Sequence, residues 1–115
     1  MRLFARERAL ASAIGPVDVA RWEQYDLDDT LPFQAMWYTV APQSSPPPDS
    51  HPEVELSLVI SGVAFVEAGD TITEVAAGSS FLLDSGERHV IHNRSNEQPL
   101  VVFSAYWMPP AEAGR

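Results

Sequence analysis

The chain has 115 residues, of which 45% are hydrophobic and 20% charged, so it has the length of one domain and enough apolar side chains for a packed core. Its formal net charge of −9 repels phosphate backbones and anionic lipid, and we therefore expect neither nucleic acid nor a membrane surface as a partner. Cysteine is absent, which excludes disulfides and thiolate ligands, so any metal must be held by His, Asp or Glu.

The first residues favour a cytoplasmic protein. Arg2, Arg6 and Glu7 lie where a secretory signal would need an apolar run. No stretch approaches 18 uncharged apolar residues, the length that would suggest a membrane-spanning helix. We expect a cytoplasmic protein whose main partner is a small molecule.

Residues 1–33 are predicted to form a partly helical N-terminal segment. Helix-forming residues extend from Ala5 to Ile14, and Gly15-Pro16 ends that run. A second short helix is predicted over 17–25, before a polar turn at 26–29. We expect this segment either to close one end of the domain or to mediate dimerisation.

From residue 34 onward, the sequence predicts an all-β domain over 34–110, with 111–115 as a tail. Aromatic and β-branched runs alternate with Gly turns and a Pro-rich loop, a pattern typical of strands. Strands are predicted over 34–40, 55–60, 63–67, 71–75, 80–83, 89–93 and 100–107. Short strands in this number, with almost no helix, indicate a small β-sandwich or barrel.

One acidic stretch beside a histidine is a candidate site. Asp49, His51, Glu53 and Glu55 alternate along the chain, so an extended segment points all four to one face. Three carboxylates and an imidazole on one face are costly unless a cation compensates them. We interpret Glu53 as a solvated loop carboxylate rather than as a ligand.

The other two histidines share one predicted strand. His89 and His92 point to opposite faces, so they are not expected to bind the same ion, and we expect His92 to face outward. His51, Glu55 and His89 together would supply two imidazoles and one carboxylate. Such a set suits Fe(II), Mn or Zn with open coordination positions.

These spacings resemble the two motifs of the cupin family. The first family motif, G-x5-H-x-H-x3,4-E-x6-G, is matched in its second half by His51, Glu55 and Gly62. The second, G-x5-P-x-G-x2-H-x3-N, is matched in spacing by Gly78, Asp84, Gly86, His89 and Asn93. The departures are Asp49 in the position of the first histidine, Asp84 in the position of the proline, and no glycine at the start of the first motif.

The resemblance implies a double-stranded β-helix, or jelly-roll barrel, that holds a divalent metal (Zn, Fe, Mn or Ni). The ligands that it implies are Asp49, His51, Glu55 and His89. An aspartate in the first ligand position shifts the preference away from softer, imidazole-rich coordination.

Strand parity leaves the lining of the pocket open between two alternatives. Either Met36 and Tyr38 or Trp37 and Thr39 face the interior, and the same choice applies to 100–107. Arg88 is a candidate partner for a substrate carboxylate or, equally, for a surface acid. The residues that we predict to line the pocket are Met36, Tyr38, Phe81, Arg88 and Tyr106.

The resemblance implies a metal-dependent small-molecule enzyme, such as a dioxygenase, isomerase, cyclase or lyase, and several such cupins act in bacterial secondary metabolism. A narrower similarity rests on Trp37-Tyr38, Glu53-Val54-Glu55 and the terminal Ala105-Tyr106-Trp107. These are similar to zinc cupin domains that, with a methionyl-tRNA-synthetase-like partner, join two amino acids through an N–N bond.

Two further hypotheses follow from the same resemblance. Asp49 in a ligand position also fits a non-catalytic cupin that binds a ligand or acts as an accessory protein. Cupins commonly pair through edge strands and an N-terminal segment, so we expect a homodimer that uses residues 1–14 and the strand over 100–107.

Overall fold

β-branched and aromatic runs separated by Gly and Pro turns fold into nine strands and two short 3₁₀ turns in the computed structural model, which describes residues 1–111. The 3₁₀ turns are Arg6–Arg8 and Trp22–Tyr25. The strands are β1 (Ser12–Ile14), β2 (Val17–Arg21), β3 (Gln34–Val40), β4 (Val54–Ser61), β5 (Val63–Ala68), β6 (Thr71–Ala76), β7 (Ser80–Leu83), β8 (His89–His92) and β9 (Leu100–Trp107).

The strands form two antiparallel sheets that share one core. The larger sheet has the order β1-β2-β3-β9-β4-β7 and the smaller has the order β6-β5-β8. Val40 and Val102 from the larger sheet pack with Ala64, Val66 and Ile91 from the smaller one. The predicted all-β, jelly-roll architecture is confirmed.

All seven predicted strands are present, because the alternation of side chains in the sequence matches the alternation of burial. In β4, Glu55, Ser57 and Val59 are buried while Leu56 and Ile60 are exposed. β3, β7 and β9 begin and end where the sequence predicts, and each of the others differs from its predicted bounds by one residue at one end or at both.

The two helices predicted in the N-terminal segment are wrong. Ser12–Ile14 and Val17–Arg21 form a hairpin instead, and β2 pairs along β3, with Val17 opposite Val40. Gly15 has a φ of +59°, and Gly15-Pro16 is the two-residue turn of this hairpin rather than the stop of a helix. Helix propensity is a weak local preference, and pairing with the edge of β3 outweighs it.

Aromatic side chains from the N-terminal segment cover the outer face of the larger sheet. The ring of Trp22 lies 4.9 Å from Trp37 and 5.4 Å from Phe103, between ring centroids, and Phe4 and Tyr25 pack against Trp22. Trp37 and Phe103 are directly opposite each other in β3 and β9. Since Trp37 and Phe103 face outward, the neighbouring positions in each strand, such as Tyr38, face the core.

Two residues of the family motifs serve the fold. Gly62 has a φ of +86°, and a Cβ there would lie 2.8 Å from the carbonyl oxygen of Pro99, so only glycine fits. Asn93 is buried and donates through Nδ2 to the carbonyl oxygens of Val40 and Gln98, at 3.0 and 2.8 Å. These bonds tie the residue after β8 to the last residue of β3 and to the loop before β9.

No helix among the residues described is long and apolar enough to cross a membrane.

Candidate metal centre and adjoining cavity

Backbone hydrogen bonds bring the two motif segments together. The N–H of Asp49 donates to the carbonyl of His89 at 3.0 Å, and the N–H of His89 donates back at 2.9 Å. The N–H of Gly86 donates to the carbonyl of His51 at 2.7 Å. The positions of these residues are therefore set by the main chain and not by side-chain packing alone.

Three of the four predicted ligands converge. One ligand atom from each of Asp49, His51 and His89 lies within 4.8 Å of the other two. The two imidazole rings are 5.1 Å apart between centroids, Asp49 is exposed, and His89 is buried. A carboxylate oxygen and two imidazole nitrogens form a donor set that divalent Fe, Mn and Zn accept.

The main chain also orients both imidazoles. Nδ1 of His51 lies 3.0 Å from the carbonyl oxygen of Glu53, and Nδ1 of His89 lies 2.9 Å from that of Glu87. A carbonyl oxygen only accepts, so Nδ1 carries the hydrogen in both rings. In the neutral rings, Nε2 therefore carries the lone pair. Histidines that bind metals are commonly oriented in this way, by a hydrogen bond from the other ring nitrogen to a carbonyl oxygen.

Glu55, the fourth predicted ligand, adjoins this group through His51. Its Oε1 lies 3.1 Å from Nε2 of His51, while its Oε2 accepts from the hydroxyls of Ser57 and Ser104 at 3.1 and 3.0 Å. Since Nδ1–H of His51 is donated to a carbonyl, a lone pair and a carboxylate face each other across 3.1 Å. A proton or a metal cation must lie between them.

The carboxylate of Glu55 belongs to a polar cluster inside the barrel. Ser57 and Ser104 are fully buried, are directly opposite each other in β4 and β9, and have hydroxyls 2.7 Å apart. The buried hydroxyl of Tyr38 lies near both serines, but it forms no hydrogen bond of ordinary geometry with either of them. Burial, and then the charge of Glu55, raises the pKa of Tyr38 well above its usual value, so this phenol stays neutral.

A cavity of about 350 Å³ opens beside the centre. Asp49, Glu55 and His89 contribute to its wall, so a molecule in the cavity would reach the converging donors. The rest of the wall is mainly apolar, and its members are Ile14, Val17, Val19, Arg21, Met36, Tyr38, Pro46, Pro47, Pro48, Val90 and Ile91. Its volume lies near the lower end of the range of about 300–1,000 Å³ for ligand sites.

The residues predicted to line a pocket are divided by the structure. Met36 and Tyr38 contribute to the cavity wall, which resolves the parity of β3. Phe81 packs against the hydrophobic core, and Arg88 is exposed and does not line the cavity. Tyr106 is also outside the wall, although its hydroxyl lies 3.4 Å from Nη1 of Arg21, which does line it.

His92 and Glu53 lie where the sequence interpretation put them. Nδ1 of His92 is 2.6 Å from Oγ of Ser45 and its Nε2 is 3.1 Å from Oε1 of Glu67, away from the other two histidines. The Glu53 carboxylate is partly exposed, and its nearest oxygen is 4.0 Å from Nδ1 of His51. Glu53 acts through its carbonyl, which orients that ring.

Sequence reasoning missed Arg21. Val17, Val19 and Arg21 alternate along β2, and all three line the cavity. The period-two pattern was present in the sequence, but a helical interpretation of 17–25 does not place these residues on one face. Arg21 is the one basic side chain in the wall, as far as the described residues show.

A family model described as "Cupin domain" matches residues 36–106. No curated protein matches the chain.

Many solved structures share the fold. A cupin 2 conserved barrel domain protein from Salinispora arenicola is 23% identical, with a TM-score of 0.80 over 93% of this chain and 88% of that one. A predicted oxalate decarboxylase from Thermotoga maritima is 18% identical, with a TM-score of 0.79 over 94% and 100%. The polyketide cyclase RemF from Streptomyces resistomycificus is 20% identical, with a TM-score of 0.77 over 96% and 82%. At these identities the likeness shows the fold alone.

Proposed function

Because the chain belongs to the cupin family, we propose that it is a metal-dependent enzyme acting on a small molecule in the cavity of the barrel. Asp49, His51 and His89 hold a divalent cation in this proposal, and Glu55 completes the set. Two nitrogen and two oxygen donors suit Zn, Fe, Mn or Ni.

The contact between His51 and Glu55 carries the proposal. Nε2 and Oε1 are 3.1 Å apart, and a neutral His51 that donates Nδ1–H to the carbonyl of Glu53 has no second hydrogen for this contact. A buried carboxylate needs a positive charge beside it, which either a second proton on His51 or a metal cation supplies. A divalent cation held by His51 and Glu55 would supply that charge and would also use the donors of His89 and Asp49.

The cation would supply Lewis-acid activation of a bound oxygen atom or of water. Around it, His89 is held in one tautomer by the carbonyl of Glu87, and the buried serines hold Oε2 of Glu55. Tyr38 lines the cavity, and its buried hydroxyl stays protonated beside the Glu55 cluster. The apolar wall excludes water from the remaining surface of a bound substrate.

Metal content tests the proposal directly. The full chain, expressed with Fe, Mn, Zn and Ni supplied, should bind about one equivalent of metal by inductively coupled plasma mass spectrometry. His89→Gln should lose it, while His92→Gln, a matched change outside the centre, should retain it. Wild-type protein with less than about 0.1 equivalent, and no recovery on adding any of the four metals, would overturn the proposal.

The reaction is best sought by class. A screen of the metal-loaded protein should cover oxygen uptake, isomerisation, cyclisation and lyase activity on small acids of secondary metabolism. It should also cover N–N bond formation between amino acids with a separately supplied synthetase partner. Turnover that His89→Gln abolishes and His92→Gln preserves would identify the reaction.

A non-catalytic cupin is the second candidate, and the state of Asp49 favours it. This first-position ligand is exposed, and its Oδ1 already accepts from the N–H of Ser50 at 2.8 Å. A binding module would gain thermal stability with its ligand, yet His89→Gln would leave its biological activity intact. Loss of product in a reconstituted reaction on that change decides for the enzyme.

We also propose a homodimer. The strand over 100–107 is not the edge strand that the sequence predicted, because β9 lies between β3 and β4; the exposed apolar surface is on β4 and β7, beyond the part of the outer face that Trp22 covers. Leu56 and Leu82 are opposite each other in β4 and β7 and are 43% and 55% exposed, and Ile60 extends the same apolar face. Contiguous exposed apolar side chains typically mark an interface. Light scattering should give twice the 12.6 kDa chain mass, and Leu56→Glu should reduce it to the monomer mass. A monomeric wild type would refute this.

A further inference from the structure

The cavity is chemically asymmetric. Asp49, Glu55 and His89 contribute metal-ligating donors to its wall, whereas Arg21 contributes its one positive side chain, within the part of the chain that the structure describes. The rest of the wall consists of valines, prolines, two isoleucines, Met36 and Tyr38. A molecule that fills this space therefore needs an apolar body and an anionic group for the guanidinium.

Arg21 has spare hydrogen-bonding capacity. Its Nη1 donates to the hydroxyl of Tyr106 at 3.4 Å, a long contact, and residues 1–111 provide no carboxylate within 4.0 Å of its guanidinium. Glu23, the acid nearest along the chain, lies 3.4 Å from the same hydroxyl and does not line the cavity. Among the residues described, no arginine forms an ion pair within 4.0 Å, and Arg21 is the arginine that lines the cavity.

The local structure fixes where Arg21 points. It ends β2 directly opposite Met36 of β3, and both side chains line the cavity. β2 pairs with β3 along its own whole length, from Val17 opposite Val40 to Arg21 opposite Met36. The guanidinium is thus presented by a paired strand and not by a mobile loop.

We propose that Arg21 anchors the carboxylate of the substrate, and that the site takes small organic acids with one carboxylate and a short apolar body. The assignment rests on the proposed function, since it supplies the substrate class for the same cavity. One guanidinium balances one carboxylate in a bidentate pair. A phosphate carries about −1.5 to −2 charges and would leave excess negative charge beside Asp49 and Glu55.

The test uses hexanoate and phenylacetate as probes, with hexanamide and phenylacetamide as uncharged matches and pentylphosphonate as a phosphate-like competitor. Binding to the full chain is measured by calorimetry and NMR shifts, with and without one equivalent of zinc. At least one carboxylate should bind more tightly than its amide. Arg21→Gln should weaken that binding by at least about tenfold, because a hydrogen-bonded charge pair is lost.

Arg88→Gln is the matched control, since Arg88 is exposed and outside the cavity; it should change the affinity by less than about twofold. Arg21→Lys keeps the charge without the planar fork and should fall between wild type and Arg21→Gln. It also serves if the glutamine variant does not fold. Equal binding of acid and amide, tighter phosphonate binding, or equal affinities of wild type and both Arg21 variants would overturn the inference.

The two proposals fail in different ways. If zinc does not bind but Arg21 still controls hexanoate binding, the metal-dependent function fails and the anchor stands. If zinc binds normally and Arg21→Gln leaves carboxylate affinity unchanged, the anchor fails alone.

Discussion

The histidines occupy two environments that differ in what holds their nitrogens. His51 and His89 donate Nδ1–H to backbone carbonyls and turn their Nε2 atoms toward each other and toward Asp49. His92 has both nitrogens engaged by side chains, with Ser45 at 2.6 Å and Glu67 at 3.1 Å.

The difference separates a cluster of converging metal-type donors from a histidine whose hydrogen bonds are complete. Nε2–H of a neutral His92 can donate to the carboxylate of Glu67 while the hydroxyl of Ser45 donates to Nδ1, so both ring nitrogens are satisfied. At the His51 end, a carboxylate with two hydroxyl donors faces Nε2 of the imidazole, and a proton or a cation is needed between them. The His92 contacts serve the fold, whereas the donors around His51 suit the cation that we propose.

The largest expected effect is on thermal stability with metal. With free metal at 100 times its Kd, wild type should gain about 2.7 kcal/mol, a rise of roughly 10 °C in Tm. His92→Gln should show the same rise, because its nitrogens contact only Ser45 and Glu67 among the contacts described. His51→Gln should show none in differential scanning calorimetry. An equal rise in all three proteins would mean that the metal binds elsewhere.

A smaller effect is expected from the serines under Glu55. Ser57→Ala removes a hydroxyl donor from a buried carboxylate and should cost about 1–3 kcal/mol in the free energy of unfolding. Ser45→Ala, which removes the hydroxyl next to His92, should cost less than about 1 kcal/mol because that contact is exposed. Urea unfolding measures both changes, and equal losses of stability would show that the Glu55 and His92 clusters do not differ in this respect.

Glu55→Gln keeps the shape and removes the charge. Metal affinity should fall about tenfold or more by calorimetry, since an anionic donor is lost. Without metal, the unfolding free energy should stay within about 1 kcal/mol of wild type. The variant weakens the hydrogen bonds from the two serines, but it also removes the cost of burying a negative charge, and the two effects offset each other. A strong destabilisation of the metal-free variant would show that a protonated His51 already compensates this carboxylate, and it would contradict the need for a metal.

The smallest effect concerns Tyr38 at alkaline pH. Burial and the charge of Glu55 raise the pKa of Tyr38 above that of the unfolded chain, about 10. The stabilisation is thus complete below pH 10 and is lost as pH rises beyond it, by up to about 1.4 kcal/mol per pH unit. Tyr38→Phe should flatten that decline in urea unfolding between pH 9 and 11. Tyr106→Phe, where the pKa is raised mainly by partial burial, should flatten it less.

The barrel was predictable because its strands carry their own pattern. Glu55, Ser57 and Val59 alternate with outward residues, so β4 is legible without knowing its neighbours. The spacing of His51, Glu55 and His89 also predicted which side chains approach one another, although their role as metal ligands stays a proposal.

The features that the sequence did not predict depend on which strands pair with each other, and no local sequence pattern shows this. Ser57 and Ser104 meet because β4 and β9 share one register, which the sequence does not display. Arg88 was predicted to line the pocket because it is next to His89 in sequence, and it lies outside the cavity. Only the pairing of β2 with β3 brings Arg21 into the wall.

The reciprocal backbone hydrogen bonds between Asp49 and His89 fix the positions of these two residues independently of their side chains. Main-chain atoms set the separation of the two positions, so exchanging the side chain at 49 leaves the scaffold in place. Asp49→His would then trade an oxygen for a nitrogen and shift the preference toward softer ions without rebuilding the barrel. A single substitution at position 49 would therefore change the donor set of the proposed metal centre without a change of fold.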